Sequence, residues 1–173
     1  MQKSENEELV RAVSSDLPGI FGLYKAAIAH LTAQGLHFWD FNWYPNADIL
    51  TQDVEKGDLY VVKDAPSGRI AACVVLNTDF DEQYRNGRWE YETESPFIVH
   101  RLCIHPDFQN RGLGKRVMQA AEAEGRARGF TAVRLDAYSG NQASLALYEH
   151  LGFRKAGEAN WVKGMFWLME KKL

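Results

Sequence analysis

The sequence predicts a mixed α/β fold, with a central mixed sheet of about seven strands flanked by helices. Three observations carry this. Short apolar runs of strand length, rich in Val, Ile, Leu and aromatic residues, recur through the chain. Between some of them lie longer stretches whose apolar residues return every three or four positions, the helical period. Gly, Pro, Asn and Asp mark most of the transitions. The resulting order is β-α-α-β-β-β-α-β-α-β-β.

In order, Leu9 to Val13 reads as a first strand. A helix begins at Asp16-Leu-Pro18, with Asp16 as cap and Pro18 in the first turn. Its apolar stripe runs through positions 20, 21, 23, 24, 27, 28 and 31, and Gly35 stops it. Residues 38–44 are dense in aromatics. A short helix from Ala47 to Glu55 ends at Gly57. Leu59 to Val62 and Ile70 to Leu76 read as strands joined by the turn residues Ala65 to Gly68. The stretch 77–95 is polar and irregular, with Trp89 and Tyr91 inside it. An apolar strand, Phe97 to Ile104, then leads through a glycine-punctuated turn to a helix over 116–128, capped by Gly129. A strand at 132–137, a helix opened by Asn141, and two terminal strands, Phe153 to Gly157 and Met165 to Met169, complete the chain.

The 173 residues suit one domain spanning 1–173. A net charge of −3, with Lys and Arg scattered, argues against a nucleic-acid partner. No apolar run approaches the length of a membrane span. The polar, acidic start, Met1 to Glu8, does not read as a signal peptide. Cys73 and Cys103 both lie in apolar strand runs, and no His/Cys cluster has ligand spacing, so buried thiols are expected and no metal site. These features together predict a cytoplasmic protein without membrane partners.

The most informative stretch is Gln109-Asn110-Arg111-Gly112-Leu113-Gly114. Strand, glycine turn and helix together present the free N–H groups of a first helical turn to one point, where the helix dipole adds partial positive charge. Glycines at 112 and 114 let backbone approach an anion, and Arg111, Lys115 and Arg116 strengthen the field. An ordinary strand-to-helix turn remains an alternative for these residues alone. A Walker A loop fails, because Gln109 stands where its first glycine belongs and Arg116 where Ser or Thr belongs. A dinucleotide fingerprint fails at Val117. What fits is Q/R-x-x-G-x-G/A, and this resembles the acyl-CoA pyrophosphate loop of the GNAT N-acetyltransferase superfamily. His105-Pro106 resembles the usual lead-in. Asn141, Ser144, Tyr148 and Gly152-Phe153 match the family's second signature, N-x-x-A/S-x-x-x-Y-x-x-x-G-F. The matched region runs from about Phe97 to Phe153, and Trp39 to Pro45 with His100-Arg101-Leu102 look like a bacterial, uncharacterised subgroup.

The resemblance implies the family fold and acetyl transfer from acetyl-CoA to an amine by direct attack in a ternary complex. It implies that the strands at 98–104 and 132–137 are parallel neighbours whose ends splay at a bulge. The pantetheine arm would then bond backbone at Leu102, Cys103 and Ile104, and a strand N–H would stabilise the oxyanion. The pyrophosphate would rest on the amides of Asn110, Arg111, Gly112, Leu113, Gly114 and Lys115. Gln109 would bond either the cofactor or its own turn. Asn141, Ser144 and Tyr148 share a helix face. Tyr148 is either a core residue with its hydroxyl at the rim or, as the resemblance implies, the general acid for the departing thiolate; Asn141 would bond pantetheine or a nearby carbonyl.

The expected acceptor is a small primary amine. Removing a proton from an alkylamine with a pKa near that of Lys costs about 4 kcal/mol at neutral pH, so a base should matter. Ile98 stands where some members carry Glu. His100 has the same strand parity and is the candidate base, a satisfied structural histidine being the alternative. Glu90, Glu92 and His37 are weaker candidates. The aromatic loop 38–44, Trp89 and Tyr91 would suit a cationic or apolar acceptor or else pack in the core. Asp40, Asp48, Asp79 and Asp81 favour a cation. Peptide acetylation and a non-catalytic acyl-CoA sensor are the competing functions, and retention of Tyr148 argues against the sensor. Family members are often homodimers, but no interface is visible in the residues.

Overall fold

The computed structural model describes residues 7–173; the polar stretch 1–6 of the N-terminus discussed above lies outside the described residues. The strands are β1 (Val10–Arg11), β2 (Leu59–Lys63), β3 (Ile70–Asn77), β4 (Phe97–Ile104), β5 (Ala132–Tyr138), β6 (Arg154–Trp161) and β7 (Gly164–Lys172). The helices are α1 (Leu17–Ala33), α2 (Ala47–Glu55), α3 (Leu113–Ala127) and α4 (Gln142–His150). The seven strands lie in one sheet in the order β1-β2-β3-β4-β5-β7-β6. It is mixed: β1–β2, β2–β3, β5–β7 and β6–β7 pair antiparallel, whereas β4–β5 is parallel. By their contacts the described residues divide into two compact units, 7–75 with Arg101–Val117, and Leu76–His100 with Met118–Leu173. Among the described residues no helix is long and apolar enough to cross a membrane.

In the first unit, α1 buries Ile20, Leu23, Tyr24 and Ala27, the expected stripe. Helix α2 buries Leu50, Asp53 and Val54, and Asn46 caps it by accepting from the Ile49 N–H at 2.9 Å. Val61, Cys73 and Val75 of β2 and β3 share a core with Leu23, Leu50 and Cys103. Asp16 does not cap α1 as expected. It already has helical dihedrals (φ −80°, ψ −16°), so its carboxylate reaches back instead to the Val13 N–H at 2.9 Å and pairs with Lys63 at 2.7 Å.

In the second unit, Phe97, Ile98, Met118, Val133, Leu135, Leu168 and Met169 are completely or almost completely buried. Glu170 of β7 is fully buried as well. It stands in register with Arg134 of β5 and Arg154 of β6, and its two oxygens accept from Arg134 Nε at 3.1 Å and Arg154 Nη2 at 2.7 Å. Strands β6 and β7 extend well beyond the expected 153–157 and 165–169. The sequence of β6, Arg-Lys-Ala-Gly-Glu-Ala-Asn-Trp, has weak strand propensity, and pairing with β7 overrides it.

Candidate active site

The turn before α3 is held by backbone conformation more than by its glycines alone. Asn110 has φ 61° and Gly112 φ 73°, both left-handed, and Asn is among the few residues that tolerate this. Gly112 is further constrained because a Cβ there would meet Arg116 Nη1 at 3.2 Å. The helix begins at Leu113 rather than near 116, so Gly114 and Lys115 lie in its first turn, where N–H groups lack intrahelical partners. Leu113 is buried and anchors that turn, while Arg111 and Lys115 are exposed. Gln109 donates from Nε2 to the Ile104 carbonyl at 3.2 Å, so its side chain bonds the turn.

The lead-in is braced by Arg69, the residue just ahead of β3. Arg69 donates to Asp107 at 2.7 Å and lies over the Phe108 ring at 5.2 Å, and Arg111 lies over the same ring at 5.5 Å. His105 Nδ1 accepts from the Asp107 N–H at 3.1 Å. Burial, aided by Arg69 and opposed by Asp107, pushes His105 below its usual range, in keeping with a neutral ring that accepts.

On β4, Leu102 and Ile104 are half-buried and Cys103 is buried. Burial, with Cys73 beside it, pushes the Cys103 thiol well up, which makes it an inert core thiol and leaves its backbone as the part available for chemistry. Two positions before it stands a residue whose role the sequence reading missed. Arg101 has φ 51° within a strand, a conformation costing a non-glycine residue roughly 1–2 kcal/mol. Its guanidinium donates bidentately to Asp53 at 2.7 to 3.0 Å and to the Tyr44 hydroxyl at 3.0 Å. The fully buried Tyr24 donates its hydroxyl to the Arg101 carbonyl at 2.6 Å. Burial alone would push the guanidinium down, but Tyr44 and Asp53 hold it up, so Arg101 stays charged. An Arg inside an apolar strand, and an Asp between Leu50 and Val54 on the buried face of a helix, were the available signals.

In the second unit, the parallel pairing of β4 with β5 covers Phe97↔Val133 and Ile98↔Arg134, and it ends there while both strands continue. His100, half-buried, follows. Its Nε2 lies 2.8 Å from Asn77 Oδ1, a contact in which the ring nitrogen donates and the amide oxygen accepts. Asn141 caps α4 by accepting from the Ser144 N–H at 3.2 Å. Asn141→Ala is therefore expected to destabilise the protein by about 1 kcal/mol, a fall in Tm of roughly 2–4 °C; Asn141→Ser should restore the Tm. Tyr148 is 7% exposed and meets Phe153 edge-to-face at 5.9 Å. Burial, with the Asp136 charge adding, pushes its phenol well up, so it stays protonated at every physiological pH. Asp136 itself accepts from the Tyr84 hydroxyl at 2.7 Å.

Several residues of the expected acceptor lining make defined contacts within the protein. Trp39 packs against Tyr24 and Phe38, and Trp89 lies under Arg134 at 4.2 Å while donating to the Tyr84 carbonyl. Asp40 and Asp81 accept from backbone N–H groups two residues on, as turn residues do. Glu90 accepts from Arg154 at 3.0 Å, which weakens it as a base.

The sequence profile described as the acetyltransferase (GNAT) family matches residues 23–153. The uncharacterised N-acetyltransferase YesJ of Bacillus subtilis is 29% identical over 163 residues, covering 90% of this chain and 89% of that protein. The ribosomal protein bS18-alanine N-acetyltransferase of Escherichia coli is 36% identical over 90 residues, covering 52% of this chain and 51% of that protein. A Pseudomonas paraeruginosa L-methionine sulfoximine/L-methionine sulfone acetyltransferase is 26% identical over 163 residues, covering 89% and 85%. A GNAT-family acetyltransferase crystal structure from Streptococcus agalactiae superposes with a TM-score of 0.84 at 20% identity over 96% of this chain and 95% of that one.

Proposed function

From the premise that the chain belongs to the GNAT acetyltransferase family, and is thus an acyltransferase, we propose that it moves the acetyl group of acetyl-CoA to a primary amine of a small molecule. The observation that carries this is the turn at 109–115. Its left-handed Asn110 and Gly112 open onto the first turn of α3, with Arg111 and Lys115 exposed beside it. That is the donor set a pyrophosphate requires.

In this reading residues 1–173 act as one acetyltransferase domain in the cytoplasm. Amides of Asn110 to Lys115 bind the pyrophosphate, and Gln109 shapes the turn through Ile104. Backbone at Leu102, Cys103 and Ile104 receives the pantetheine arm and the thioester. The neutral amine attacks the acetyl carbon, a strand N–H holds the oxyanion, and the C–S bond then breaks. The Tyr148 hydroxyl is donated to the departing sulfur. Its raised pKa keeps it a donor at all working pH values and makes its role a strong hydrogen bond as the thiolate forms. Asn141 and Ser144, at the start of α4, support the same arm. His100 accepts the amine proton, directly or through water.

The acceptors named for the relatives are a ribosomal-protein alanine and methionine sulfoximine or sulfone, both amino-acid units. The second relative matches along nearly the whole chain, which supports a small amino-acid-like amine.

Thiol release from acetyl-CoA across amino acids, polyamines, arylalkylamines, aminoglycosides and short peptides tests the proposal. Acceptor-dependent release with a small amine is expected. Release with peptides alone would overturn the small-molecule acceptor, and silence across the panel in protein that binds acetyl-CoA would favour a sensor. His100→Ala is expected to lower kcat/KM by about 10²-fold at pH 7 and much less above the acceptor's pKa. An equal loss at both pH values would remove it as base.

A further inference from the structure

We propose that Asp53, Tyr24 and Tyr44 form a clamp on Arg101 that positions the reacting segment of β4. The inference rests on the reading that β4 backbone receives the thioester. Three features point the same way. Arg101 holds a left-handed conformation that a strand arginine does not adopt unaided. Both ends of the residue are fixed, the guanidinium by Asp53 on α2 and by Tyr44, the carbonyl by Tyr24 on α1. The ion pair is desolvated, with side chains 11% and 9% exposed, so it is held in one geometry rather than exchanging with water.

Peptide planarity converts this into a direction. The 101–102 peptide is trans, so its N–H points opposite to its C=O. With the Arg101 carbonyl committed to the Tyr24 hydroxyl, the Leu102 N–H is aimed to the opposite side of the strand. The clamp therefore aims an amide that belongs to the segment assigned to the thioester. A transition-state donor needs that aim fixed before the reaction, because reorienting it during the reaction would raise the barrier.

A purely structural ion pair and a positioning clamp differ in what they predict. Removing both charges with Arg101→Met and Asp53→Leu leaves no unpaired buried charge, so the fold should survive. Tyr24→Phe removes one hydroxyl and nothing else. Each variant is compared with wild type for acetyl-CoA affinity, for kcat of thiol release, and for hydrogen exchange at the Leu102 and Cys103 amides. The expected result is acetyl-CoA affinity within about threefold of wild type, kcat down by about 10²-fold, and faster exchange at Leu102. Arg101→Lys, which retains one charged contact to Asp53, should recover part of kcat. Unchanged kcat in Tyr24→Phe, or kcat and affinity falling together, overturns the clamp. If the double variant does not fold, Tyr24→Phe alone decides. If wild type releases no thiol with any amine, acetyl transfer itself fails, and exchange at Leu102 judges the clamp separately: acceleration in Tyr24→Phe supports it, and no change overturns it.

Discussion

Tyr148→Phe is expected to lower kcat for acetyl transfer by about 10²-fold or more while acetyl-CoA affinity stays near wild type. Phenylalanine preserves the buried ring and its edge-to-face contact with Phe153, so the change isolates one hydroxyl. In wild type that hydroxyl is donated to sulfur only as negative charge develops there, an interaction made in the transition state and absent from the ground state. The loss should therefore fall on kcat and kcat/KM equally. Because burial and Asp136 push the phenol up, the wild-type pH–rate profile should show no deprotonation of Tyr148 below about pH 10. Steady-state rates beside calorimetric acetyl-CoA binding check both statements. Equal kcat in the two proteins would remove the hydroxyl from the mechanism.

Gly112→Asp is expected to weaken acetyl-CoA binding by roughly 10- to 100-fold, the loss of one or two charge-assisted hydrogen bonds. The new carboxylate would sit beside the first turn of α3 and compete with the pyrophosphate for its amides. It would also lie against Arg116, whose Nη1 is 3.2 Å from the Cβ position. Gly112→Ala separates the terms, because it carries the left-handed strain at φ 73° without the charge. The alanine variant should lose about 1 kcal/mol of stability and far less affinity than the aspartate. Similar affinities for both variants would assign the effect to backbone strain, and an unchanged affinity in Gly112→Asp would remove the loop from the binding site.

The parts of the site that were visible in the sequence are those built locally. The turn at 109–115 and the cap of α4 by Asn141 each involve residues a few positions apart, and the chemistry of Gly, Asn and a following helix determines them. The Arg101–Asp53 pair joins residues 48 apart on a strand and a helix, and no periodicity connects them. The aromatic residues stayed open between pocket wall and core for a related reason. Trp39 and Trp89 look alike as sequence, but one packs on Tyr24 and the other stacks with Arg134, and only tertiary placement distinguishes a core ring from a pocket wall. The acidic residues read as a cation-favouring set include Asp40 and Asp81, which organise turns, a use short acidic side chains share with binding.

The buried Glu170 makes the C-terminal strands behave like a keyed joint. Sliding β7 by one residue against either neighbour would turn the carboxylate to the wrong face. Sliding it by two would part it from Arg134 and Arg154, at a cost of about 3–5 kcal/mol for a stranded interior charge. Assembly errors among β5, β7 and β6 are thereby penalised wherever else the strands tolerate change. The hairpin tip carries no such register constraint: Val162, in the two-residue turn between β6 and β7, is 96% exposed. A reporter peptide or affinity tag spliced in at that tip should leave the alignment of the three strands, and with it the fold, undisturbed.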